Sequence, residues 1–119
     1  MGTRSTTKIY NEYGKLLLAL YKQYDGYIEG WGKELKDFIK ESKFVNGFNE
    51  SNNRTHNGPG CFTLQLVKEF KETTGGLYAT NEDDTQEYNY IIKFGPDYPS
   101  TITISEEETP DFTEIIQIS

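Results

Sequence analysis

Residues 15–23, KLLLALYKQ, constrain the fold more than any other part of the chain. The middle of this stretch is apolar at consecutive positions, and consecutive residues of a β-strand point to opposite faces. A strand made from it buries both faces, either centrally in a sheet covered on two sides or against a partner chain. Residues 3–10 before it alternate and are β-branched, which is the pattern of a strand. Between the two, Asn11-Glu12-Tyr13-Gly14 puts glycine where a hairpin turn requires positive φ, so antiparallel pairing is expected.

The segment that follows, YDGYIEGWG at 24–32, holds three glycines and three aromatics and is expected to be irregular. Over 33–43, Leu35, Phe38 and Ile39 share one face of an amphipathic helix. An asparagine- and glycine-rich loop is expected over 44–60. A second helix is expected over 61–73, with Phe62, Leu66 and Phe70 in register and Gly75-Gly76 as its stop. Residues 77–80 and 86–95 read as a second hairpin across 81–85, with Tyr88, Tyr90, Ile92 and Phe94 on one face. Alternating stretches at 101–105 and 113–119 flank Glu106-Glu107-Glu108 and Pro110. The expected class is α+β: an antiparallel sheet with two helices packed on one face, in the order ββααββ plus one or two C-terminal strands. One domain spans 1–119, with an acidic extension over 95–119.

A chain of 119 residues has room for one core. Only 34% of it is hydrophobic, so nine tyrosines and seven phenylalanines must supply much of the buried area. The net charge of -7 repels a polyphosphate backbone, which argues against nucleic acid while leaving room for small anions held by an arginine. A lone cysteine, Cys61, excludes an internal disulfide. No run approaches the roughly 20 apolar residues of a membrane span, and the opening MGTRSTTKIY lacks a leader's apolar core, so the expected compartment is the cytoplasm.

Residues with catalytic potential are few. His56 and Cys61 form a nucleophilic pair on one reading, and a loop histidine beside a packed cysteine on the other. Glu82, Asp83, Asp84 and Glu87 lack the spacing of a calcium loop and read as a solvated turn. No catalytic residue, metal or cofactor is expected. Asn57-Gly58-Pro59-Gly60 precedes a helix and offers N–H groups to an anion, without the lysine and serine of a phosphate-binding NTPase loop. Polar aromatics concentrate at Tyr21, Tyr24, Tyr27 and Trp31, interleaved with Gln23, Asp25 and Gly26. Such rings stack on bases and carry hydrogen-bonding rims. Arg4 and Ser5 add a charged fork and a hydroxyl, and Gln86, Glu87 and Tyr88 add further polar groups.

MGTRST, YKQYDGY with the following GWGKEL, NGPGC, GGLY and QEYNY occur in that order. Together they resemble, over residues 1–94, a family of short hypothetical proteins from bacteriophages and large DNA viruses. The resemblance implies a viral context and a site at the motif positions Arg4, Ser5, Gln23, Tyr24, Asp25, Gly26, Tyr27, Asn57, Gly58, Gln86, Glu87 and Tyr88. Trp31 joins these from the aromatic cluster. Pro59 and Trp31 depart from the motif pattern. The expected function is non-enzymatic: sequestration of a nucleotide-derived host immune signal, of cyclic nucleotide or cyclic ADP-ribose type, in the host cytoplasm. The expected partners are a small nucleotide-like ligand and further copies of the chain in a homo-oligomer. Two alternatives stand beside it, an acidic protein that blocks a host protein and a small hydrolase of a signal nucleotide.

Overall fold

A computed structural model describes residues 2–45, 55–98 and 101–117. Among the described residues, eight strands and two α-helices follow the order β1 (Ser5–Tyr10), β2 (Leu16–Lys22), α1 (Lys33–Lys40), β3 (Lys43–Val45), β4 (Thr55–Asn57), α2 (Gly58–Phe70), β5 (Leu77–Ala79), β6 (Tyr88–Phe94), β7 (Thr101–Glu106) and β8 (Glu114–Gln117). Six of the strands form one sheet in the order β5-β2-β1-β6-β7-β8, and β3 and β4 pair separately.

The first hairpin closes through its turn residues. The Asn11 carboxamide oxygen accepts the N–H groups of Tyr13 and Lys15, each at 2.9 Å, and Gly14 takes φ 79°. In the pairing that results, Leu18 and Leu20 of β2 join Ile9 on one face while Ala19 turns to the other. Both Leu20 and Ala19 are buried, as the doubly apolar stretch demands, and Leu17 toward the turn is partly exposed.

Residues 24–27 are irregular, as expected, whereas 28–32 are not. Ile28–Gly32 forms a π-helical turn that runs straight into α1. Its glycines allow close approach rather than breaking the helix. A Cβ on Gly30 would lie 2.7 Å from the Asp25 carbonyl, and one on Gly32 would lie 3.1 Å from the Tyr90 and Phe112 side chains. The helix α1 buries Leu35, Phe38 and Ile39, and α2 buries Phe62 and Leu66. These pack with Ile9, Leu20, Tyr90, Ile92, Phe94, Ile102, Ile104 and Ile116 in one core on a single face of the sheet.

Three further expectations are corrected. The sheet is mixed, because β1 and β6 run parallel, from Ser5 opposite Tyr88 to Tyr10 opposite Lys93. The segments β5 and β6 do not form a hairpin. Instead β5 pairs with β2 at one edge, and the chain crosses β2 and β1 to place β6 on the far side. The expected loop over 44–60 contains the parallel pair of β3 and β4 and the first turn of α2; residues 46–54 lie outside the described residues. The early start of α2 follows from Pro59, which suits a first helical turn because its missing N–H has no intrahelical partner there.

The C-terminal stretch packs. The strands β7 and β8 extend the sheet, and Phe112, in a short 3-10 turn between them, is buried. Buried Glu106 ends β7, accepting bonds from the Asn89 N–H, the Glu108 N–H and the Thr109 hydroxyl. Among the described residues, no helix is long and apolar enough to cross a membrane.

Candidate functional site

The sheet face opposite the helices is partly roofed by residues 80–87, which carry the chain from β5 to β6. Asp84 is the anchor of this crossover. Its carbonyl accepts the Lys8 ammonium at 2.8 Å, and its carboxylate accepts the Thr80 hydroxyl at 2.7 Å and the Gln86 amide at 2.8 Å. Glu82 accepts the Tyr10 hydroxyl, and Asn89 ties Gln86 to Thr6, accepting from the Gln86 N–H and the Thr6 hydroxyl. Burial, then the neighbouring Glu82 carboxylate, raises the Tyr10 pKa. The acidic run is a turn with Glu82, Asp83 and Glu87 exposed, as its composition suggests, and it is tethered to the sheet as a strap through Glu82 and Asp84. Among the described residues, no group of three or more His, Cys, Asp or Glu side chains is placed to hold a metal ion.

Beside the strap the open face holds a cleft of about 450 Å³, lined by Arg4, Tyr21, Gln23, Tyr78 and Ala79 together with Thr80, Asp84 and Gln86 of the crossover. Its layout follows from strand register. Tyr21 lies opposite Thr6 on one side and Tyr78 on the other, and one step further along, past Ser5 and Lys22, Arg4 comes level with Gln23. The two tyrosine rings stand 5.9 Å apart at 43°. The Arg4 side chain is exposed, and its guanidinium has no hydrogen-bond or ion-pair partner among the described residues. The cleft, shallow and open to solvent, thus offers a cation, two adjoining tyrosine rings and two amide side chains within one volume of ligand size.

Of the residues singled out in the sequence, the cleft gathers Arg4, Gln23 and Gln86 from the expected site, with Tyr21 of the aromatic cluster and Asp84 of the acidic run. The others lie elsewhere. Ser5 is buried on the helical face against Gly26, where a Cβ would come within 2.6 Å of the Ser5 Cβ. Asp25 holds φ 60° and lends its carbonyl to the Trp31 N–H. Tyr24 and Tyr27 are exposed, beside Gly2 and Gly30. Trp31 is fully buried, donating its indole N–H to Thr7 and meeting Phe70 edge-on. Tyr88 stacks on Tyr90, whose hydroxyl donates to the Gly26 carbonyl. Burial, then the Glu106 carboxylate, pushes the Tyr90 pKa well above the ordinary phenol range. Glu87 is exposed and makes one long contact to the Arg4 N–H.

At the start of α2, Asn57 is exposed and the Gly58 N–H donates to the Tyr98 hydroxyl at 2.8 Å, so that donor of the expected anion cradle is already occupied. The proposed nucleophilic pair has a structural setting. His56 is fully buried among the rings of Phe38, Phe44 and Phe62, with Nε2 at 2.9 Å from the Ser42 hydroxyl. Cys61 is half-buried, with the Gln65 amide 3.5 Å from its sulfur.

Tyr78, Thr80 and Asp84 were not among the expected site residues. Period-two alternation joins Tyr21 to Gln23, and the hairpin register would add Arg4. Nothing local signals that β5 docks beside β2 or that the strap crosses the face.

Comparison with known protein families, with curated proteins and with solved structures gives no match. The fold and cleft define a class: an α+β protein with a mixed six-stranded sheet, helices on one face and a polar-aromatic cleft on the other.

Proposed function

We propose that this protein binds a small nucleotide-like anion in the open-face cleft and holds it without altering it. The observation that carries the reading is the Arg4 guanidinium, without a partner among the described residues, beside the tilted pair of Tyr21 and Tyr78. A guanidinium provides a planar fork for phosphate, and tyrosine faces accept a base or a ribose edge. Gln23 and Gln86 supply donors and acceptors for the ligand's polar rim. The net charge of -7 suits capture of a compact anion by one local cation better than binding of an extended polyanion. With the resemblance to phage and viral proteins, the biological role we assign is sequestration of a nucleotide-derived host signal.

The test is calorimetric titration of the full chain with nucleoside monophosphates, cyclic nucleotides, cyclic ADP-ribose and inorganic phosphate. Arg4→Ala, with its circular dichroism spectrum unchanged, is expected to weaken binding about tenfold to a hundredfold, the range for a charge-assisted hydrogen bond. Absence of binding by the folded protein across the whole series would refute the proposal.

A further inference from the structure

Asp84 stands at the other end of the cleft from Arg4 and has the opposite chemistry. Four residues along β1 separate Arg4 from Lys8, about 13 Å of extended strand, and the Asp84 carbonyl sits over the Lys8 ammonium. A ligand reaching from Arg4 to Asp84 crosses Tyr21 and Tyr78, which lie level with Thr6. An ionised carboxylate offers only acceptors, with about two lone-pair positions on each oxygen. Thr80 occupies one position on Oδ2 and Gln86 one on Oδ1, which fixes the carboxylate and leaves each oxygen a further acceptor site. Two parallel acceptors held in this way match two adjacent N–H donors, the bidentate geometry by which carboxylates take a guanidinium.

Among nucleobases, guanine presents that pair, its N1–H beside its N2 amine. Adenine and cytosine present one amine next to a bare ring nitrogen, whose lone pair would face a carboxylate oxygen. Uracil presents one N–H between two carbonyls. We infer that the cleft selects guanine nucleotides, with the phosphate on Arg4, the base over Tyr21 and Tyr78, and N1–H and the N2 amine donating to Asp84. This rests on the reading of the cleft as a nucleotide site and adds to it the residue that determines which base enters.

The test is titration of the full chain with guanosine, inosine and adenosine 5′-monophosphates under one set of conditions. Guanosine monophosphate is expected to bind about tenfold to a hundredfold more tightly than adenosine monophosphate. Inosine monophosphate, which keeps N1–H and lacks the amine, should fall between. In Asp84→Asn, whose amide can keep the Thr80 contact, the preference for guanine should vanish while phosphate-dependent binding remains. Equal affinity for the three nucleotides in the unmodified chain overturns the inference and leaves the binding site standing. So does a guanine preference that survives in Asp84→Asn. Silence from all three nucleotides overturns the inference, and it overturns the binding site as well only when the cyclic nucleotides, cyclic ADP-ribose and phosphate are silent too. The series on the unmodified chain decides the matter even if the variant does not fold.

Discussion

Replacing Thr7 by valine tests whether Trp31 belongs to the core rather than to a ligand. The two side chains have nearly the same shape, so the change removes an acceptor and little else. In the native protein the Trp31 indole N–H donates to the Thr7 hydroxyl at 2.8 Å, with both residues buried. The indole meets the Phe70 ring at 4.9 Å and 83°, and the Lys22 ammonium lies 4.9 Å from its centroid. Valine leaves the indole N–H buried without a partner, at a cost of about 1–3 kcal/mol. With a urea slope of about 1–3 kcal/mol per molar, a loss near the middle of that range lowers the unfolding midpoint by roughly 1 M. Trp31→Phe removes the donor instead, and in the double variant the polar mismatch is gone, so the double should cost less than the two single changes together. Urea titration followed by circular dichroism measures all three, and the single tryptophan reports its own surroundings by emission. A Thr7→Val variant unfolding at the unmodified midpoint would refute the reasoning. So would native emission typical of an indole in water.

Two other perturbations follow from the same packing. Gly26→Ala forces a Cβ to 2.6 Å from that of Ser5 and 2.9 Å from the Thr3 carbonyl, so the expected loss is about 1–3 kcal/mol in chemical denaturation, and Ser5→Gly should restore part of it. Glu114 is held below the ordinary carboxylate range first by its hydrogen bond to Lys40, at 3.0 Å, with Lys36 at 3.4 Å. A depressed carboxylate contributes stability that is present at neutral pH and disappears as pH falls through its folded-state value. Glu114→Gln should therefore cost about 0.2–1 kcal/mol at pH 7. The gap between the two proteins should close below the usual carboxylate range, as thermal melts across that interval would show.

What the sequence made legible was local. The β1–β2 hairpin is written in Asn11 and Gly14, and the buried stripe of α1 in Leu35, Phe38 and Ile39, because turn geometry and helical periodicity are set by neighbours in the chain. The parallel pairing of β1 with β6 joins residues 83 apart, and neither strand carries a mark of its partner's direction. That one pairing converts the expected second hairpin into a crossover, and with it the cleft acquires Thr80 and Asp84. Trp31 misled for a related reason. Polar aromatics near glycines suit a ligand or a tight core equally well, and only tertiary packing separates Trp31, closed in beneath β1, from Tyr21 on the open face.

Because β1 lies between β2 and β6, a strand made early in this sequence joins the two halves of the sheet. During synthesis the hairpin of residues 5–22 is complete long before residues 88–94 emerge. Until then one edge of β1 is bare, open to pairing with other nascent chains. Closure awaits a contact spanning most of the polypeptide, so folding should be slow for a protein of this length. Loss of residues 5–10 would remove a central strand. It would divide the sheet into β5-β2 on one side and β6-β7-β8 on the other.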